Sequence, residues 1–129
     1  MGYYSEVKIA MKESDYIELL NRINYYTNKD ILNIFVKDMC LAKTVVNNGQ
    51  RIAILHWGWV KWYQEFKEVQ YIEDYLAELS EQCKPYKFVR IGEESSDIEV
   101  SDSWGKEGDD CCDIIRAEVY VEIVEEYNE

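Results

Sequence analysis

The sequence predicts an α+β domain: about five strands in a mainly antiparallel sheet, with two or three helices packed on one face. Three observations carry this. The opening residues alternate apolar with polar side chains, a late segment does the same, and two stretches between them repeat apolar residues at helical spacing. Strict alternation leaves one strand face wet, and a sheet with a wet face is normally antiparallel with its helices on the other side. With 129 residues, 47% of them hydrophobic, six Gly and one Pro, the chain is expected to form a single domain over 1–129 rather than a tether. No apolar run approaches the roughly 20 residues that cross a bilayer.

Taken in order, Tyr3, Ser5, Val7, Ile9 and Met11 fall on one side of a first strand, with Tyr4, Glu6, Lys8 and Ala10 on the other. Ser14 and Asp15 offer a helix cap, and Ile17, Leu20 and Ile23, flanked by Tyr16 and Leu19, form the apolar stripe of a helix over 15–26. Residues 30–42 read as a second helix, although their β-branched run at 31–36 would also suit a strand. Asn47-Asn48-Gly49-Gln50 is a turn, because Asn-Gly readily adopts the positive φ that tight turns need. Residues 51–59, apolar almost throughout, read as a central strand covered on both faces. Val69, Ile72, Leu76 and Leu79 then mark an amphipathic helix, ended by Lys84-Pro85. Residues 86–91 form a strand that turns through 92–96 into a hairpin partner at 97–100, and 101–113, with two Gly and five acids, is a solvated loop. Ile115, Ala117, Val119, Val121 and Ile123 alternate with polar residues and predict a long last strand.

Charge is unevenly spread. Through residue 90 acids and bases balance at 12 each, whereas from Ile91 onward 14 acids face only Lys106 and Arg116. The last third therefore holds the whole net charge of −12. Such a field repels nucleic acid and anionic lipid, so neither is an expected partner. Basic proteins and cations are favoured; keeping the chain soluble is the plainest role for the same charge. The start has neither a basic nor an apolar leader region, and Glu6 stands where a myristoylation motif wants Ser or Thr, so the expected location is cytoplasmic. In that reducing setting Cys40 and Cys83 are expected to be small buried hydrophobes, and Cys111 and Cys112 to be exposed thiols in a polar loop. Their spacing offers no Cys-x-x-Cys clamp for zinc, and Asp109, Asp110 and Asp113 lack the ligand order of a calcium loop. No metal or other cofactor is expected.

Residues 57–63 hold three of the four tryptophans. Alternation sends Trp57 and Trp59 to one strand face, where large rings close a core, bind a protein partner or line a ligand pocket. His56, the single histidine, lies mid-strand in an apolar run and reads as a hydrogen-bonded core imidazole rather than a catalytic base. Glu6-Val7-Lys8 and Glu65-Phe66-Lys67 are too short a match to a metal-dependent nuclease to define one. Among the late acids, Asp97 and Glu99 stand two apart on a strand, roughly 6.7 Å, and Glu118 and Glu122 four apart, roughly 13 Å. These steps approximate two and four phosphate rises at about 3.4 Å each, so a rigid row of them imitates a nucleic-acid backbone.

Gly2-Tyr3-Tyr4-Ser5, Trp59-Val60-Lys61-Trp62-Tyr63, and Tyr86-Lys87-Phe88-Val89-Arg90-Ile91-Gly92-Glu93 followed by Asp97-Ile98-Glu99 resemble small acidic phage and prophage proteins of low-GC Gram-positive bacteria. The composition, rich in Asn, Lys, Ile, Tyr and Glu, fits that source; residues 29–50 and the Cys111-Cys112 loop do not share the likeness. The resemblance brings no catalytic residues. It implies a non-enzymatic anti-defence protein of the host cytoplasm that binds host machinery, as inhibitors of CRISPR nucleases do. On that expectation a basic host protein meets Asp97, Glu99, Asp109, Asp110, Asp113, Glu118 and Glu122, helped by exposed Trp59, Trp62 and Trp104, with homodimer formation left open. The alternative is a small-ligand protein or enzyme with a pocket near Trp57, Trp59 and Tyr63, and Arg90 available for an anionic group.

Overall fold

The computed structural model describes residues 2–26, 40–47, 49–94, 96–104 and 112. Strand β1 (Ser5–Lys12) runs directly into helix α1 (Glu13–Tyr26); β2 (Leu41–Asn47) and β3 (Gln50–Val60) form a hairpin; helix α2 (Lys67–Glu81) follows; β4 (Tyr86–Gly92) and β5 (Ile98–Ser103) form a second hairpin. The sheet order is β2-β3-β1-β4-β5, antiparallel at every step. Among the described residues the α+β class and a five-stranded antiparallel sheet stand as expected, with β2 as the one strand not anticipated.

Both helices lie on one face. Val7, Ile9 and Met11 of β1, Leu55 and Trp57 of β3 and Phe88 of β4 pack there against Leu19 and Ile23 of α1 and Val69, Ile72, Leu76 and Leu79 of α2. The stripe of α1 departs from expectation: Asp15, Leu19 and Ile23 are its buried positions, one turn apart, while Ile17 is exposed. Asp15 therefore does not cap the helix. It sits in the first turn, 5% exposed, its Oδ1 3.5 Å from Lys84 Nζ and its backbone carbonyl accepting from Tyr75 Oη at 2.5 Å. The other face carries a smaller cluster of Ala10, Ile52, Val89, Ile91 and Cys112.

Other expectations need correcting. Leu41 and Ala42, read as the end of a second helix, belong to β2, whose exposed side chains on both faces leave no alternation to read. Ser101–Ser103, read as loop, continue β5 by pairing with Phe88, Lys87 and Tyr86. Cys112 is buried, not exposed, and Cys83 is exposed, not buried. Cys83 closes α2: at φ 58° it takes the left-handed position after the helix, with Cys83 N–H bonded to Ser80 O at 3.1 Å and Lys84 N–H to Leu79 O at 2.8 Å. Helix α2 thus ends by this motif just before Pro85. In the β2–β3 connection Asn47 pairs with Gln50, and Gly49 at φ 77° supplies the positive φ. The expected helix at 30–39 and strand at 115–123 lie outside the described residues.

Candidate functional site

A bulge decides where the aromatic cluster goes. Val7 pairs with Trp57 but Ser5 pairs with Val60, so β3 spends one residue more than β1 between the two pairs. Trp57 and Val60 both enter the helix-side core, and Trp59 turns out, 64% exposed. The two tryptophans therefore do not share a face. Trp57 packs against Trp62 with ring centroids 5.3 Å apart. Trp62 is itself 6% exposed and donates from Nε1 to Glu73 Oε2 at 3.0 Å, which removes it from any contact surface. Trp59 instead stacks on Tyr4, centroids 4.8 Å apart and planes 7° from parallel, and Lys61 Nζ stands 5.6 Å from the Tyr4 ring centre. Tyr63 accepts the Tyr3 backbone N–H at 2.7 Å. Trp57, Trp59 and Tyr63 therefore line no common pocket. Trp104, after β5, is exposed.

His56 belongs to the face away from the helices and is half-buried, not a core imidazole. Its Nε2 lies 2.7 Å from Glu6 Oε2. That bond, aided by Lys8, holds the Glu6 carboxyl below its ordinary range.

Of the late acids, Asp97 and Glu99 both meet Arg90. Arg90 Nη2 meets Asp97 Oδ1 at 2.9 Å, Nε meets Glu99 Oε1 at 2.9 Å, and Nη1 donates to Ser5 Oγ at 3.1 Å. Tyr3 Oη donates to Asp97 Oδ2 at 2.6 Å. The Arg90 and Tyr3 bonds hold the Asp97 carboxyl low, and a Cβ on Gly92 would run into the same Tyr3 hydroxyl and Asp97 carboxylate. Asp97 and Glu99 are thus brought together around one arginine, a group that keeps a net charge of −1. Arg90 is correspondingly committed to them, not open to a ligand. Asp109, Asp110, Asp113, Glu118 and Glu122 lie outside the described residues.

Among the described residues a further group of acids lies on α2. Glu68, Glu73, Asp74, Glu78 and Glu81 share that helix with a single base, Lys67; Asp74 and Glu81 are exposed, while Glu73 accepts from Trp62 and Gln64 and Glu78 pairs with Arg22. Between α1 and α2 opens a cavity of about 480 Å³ lined by Arg22, Tyr71, Asp74, Tyr75 and Glu78. Arg22 lies 5.1 Å from the Tyr75 ring centre and bridges Glu18 at 3.0 Å and Glu78 at 2.6 Å. The sequence reading passed over this cleft, although Glu18 and Arg22 stand at the four-residue spacing that pairs side chains on a helix.

Cys40 is half-buried, and that burial pushes its thiol up to about 12 and keeps it protonated. Among the described residues no group of three His, Cys, Asp or Glu side chains could hold a metal ion, and no helix is long and apolar enough to cross a membrane. No protein-family model, curated protein or solved structure matches the chain.

Proposed function

We propose that the chain is a non-catalytic phage or prophage product that binds a basic host protein in the host cytoplasm and inhibits it stoichiometrically, the target being a nucleic-acid-cutting defence nuclease of the CRISPR type. The carrying observation is the net charge of −12, held entirely by residues 91–129, to which α2 adds the exposed carboxylates of Asp74 and Glu81. Helix-borne acids keep their positions without the ordering entropy a tail would lose, and they suit the basic groove through which a nuclease tracks phosphates. Arg90 offsets one of the two charges of Asp97 and Glu99, so the contact surface extends from those two residues toward Asp74 and Glu81 of α2 and the exposed Trp59. The charge also speaks against direct nucleic-acid binding.

The test uses purified defence nucleases assayed for DNA cleavage with and without an equimolar amount of the chain. The expected result is a complex near one to one that blocks cleavage at low salt and weakens steeply as ionic strength rises. Lysine at Asp74 and Glu81 should weaken it further. Absence of association at low salt, or association indifferent to salt, rejects the proposal.

A further inference from the structure

The cleft between α1 and α2 is walled by a single helix face and one side chain opposite it. Tyr71, Asp74, Tyr75 and Glu78 recur at helical spacing along α2, and Arg22 reaches across from α1 to bound a volume of about 480 Å³. That volume falls among those of small-molecule sites, roughly 300–1,000 Å³. Tyr75 is buried and Tyr71 half-buried, while Asp74 is exposed.

Arg22 shows what kind of group the cleft holds. Its guanidinium lies 5.1 Å from the Tyr75 ring centre, within reach of a cation–π contact, and bonds to Glu18 at 3.0 Å and Glu78 at 2.6 Å. A cation set between an aromatic ring and carboxylates is thus already part of the structure. One arginine does not balance the site. The charged groups that line it or act on the Tyr75 ring are Arg22, Asp74, Glu78, Glu18 and Asp15, and Asp15 meets Lys84 Nζ at 3.5 Å. Four carboxylates against two bases leave two negative charges. Burial, and then Asp15, Glu18 and Glu78, hold the Tyr75 hydroxyl above its ordinary value against the opposing effect of Arg22, so the net field at the ring is negative.

The surplus selects the chemistry of a ligand. An anion is repelled, and Arg22 is already bonded to two carboxylates. A metal ion wants several hard oxygens converging on one point, and among the described residues no group of three His, Cys, Asp or Glu side chains does so. An organic cation suits both the rings and the acids. Asp74 and Glu78, four residues apart on α2, present Cβ atoms about 6 Å apart, a span that the two nitrogens of a four-carbon diamine match. We infer that the α1–α2 cleft binds a linear aliphatic diamine, one ammonium group meeting Asp74 and the other Glu78, with the alkyl chain against the tyrosine rings. The inference is independent of the proposed target, because the ligand binds the chain alone.

Isothermal titration of the chain with 1,4-diaminobutane at fixed ionic strength tests it. The expected result is one site with a dissociation constant below about one millimolar, at least about tenfold tighter than for n-butylamine, which carries a single charge. Nα-acetyl-lysinamide, which presents the ammonium group of a protein side chain, should bind no better than butylamine. Asp74→Asn should weaken diamine binding about fivefold, the upper worth of one exposed ion pair, whereas Glu81→Gln, which removes the same charge from the same helix outside the cleft, should change it less than about twofold. Both residues are exposed, and an unchanged thermal midpoint confirms that the fold is kept. Equal losses in the two variants would reduce the binding to the general attraction of an acidic molecule for dications. That result, equal affinity for the diamine and either monoamine, or no saturable binding would overturn the inference.

Discussion

The two faces of the sheet divide the labour of the molecule. The face under the helices is filled by large apolar side chains from three strands and two helices, with Trp57 at its centre. The other face holds a patch of smaller residues around Ala10, Ile52 and Val89, beside the Glu6–His56 pair. Trp57 and Trp59, two positions apart, end up buried and exposed because one bulge lies between Trp57 and Val60. Stability is thus concentrated on the first face, and exposed Trp59 lies outside it with the partly buried Tyr4 and Lys61 beside it.

The largest effect comes from breaking the covered face. Trp57→Ala empties a fully buried site among Trp62, Val7 and Leu55, and is expected to destabilise the fold by about 3–5 kcal/mol in urea or thermal unfolding. A loss under about 1 kcal/mol would mean that the covered face is not the main store of stability.

A change at the end of α2 works in the opposite direction. Cys83 holds a left-handed backbone conformation that costs a side-chain-bearing residue about 1 kcal/mol more than glycine. Cys83→Gly should raise stability by about that amount, since the exposed thiol gives up no packing. An unchanged or lowered midpoint would show that the helix end does not set this conformation.

On the open face the comparison is sharpened by pH. The folded Glu6 carboxyl lies below its ordinary value, chiefly through the bond to His56. A depressed carboxyl stabilises the fold above the unfolded value of 4.5, and that contribution is lost as pH falls through the lower folded value. Glu6→Gln should therefore flatten the acid limb of the stability profile, by up to about 1 kcal/mol. Asp97 and Glu13 are depressed too, so a residual acid limb remains in the variant.

What was legible follows the same division. Periodicity identifies β1, most of α1, α2 and β4, because each has one face against the core and one outside. It misses β2, whose exposed side chains show no alternation, and the end of β5, whose Ser101, Asp102 and Ser103 are polar throughout and carry no apolar alternation. It misplaces the stripe of α1 by counting Ile17 inward and a buried aspartate as a cap. The bulge erased the shared face expected of Trp57 and Trp59; Gly58, a glycine inside a strand pattern, was the available sign. Ion pairs between distant segments, such as Arg51 with Glu13 and Arg22 with Glu78, have no local spacing to betray them.

The smallest effect on stability is expected where the effect on binding is largest. Trp59 gives up most of its area to solvent already, and its removal costs chiefly the stack on Tyr4. Trp59→Ala should therefore destabilise the fold by about 0.5–1 kcal/mol. A rigid tryptophan beside a tyrosine and a lysine is, however, the residue type that anchors protein interfaces. If the open face contributes to the nuclease complex, the same variant should weaken inhibition at least about tenfold while the unfolding midpoint barely moves. Inhibition that survives Trp59→Ala but fails when Asp74 and Glu81 are changed would assign the contact to the helical layer alone, and the division between the two faces would then be one of stability without one of function.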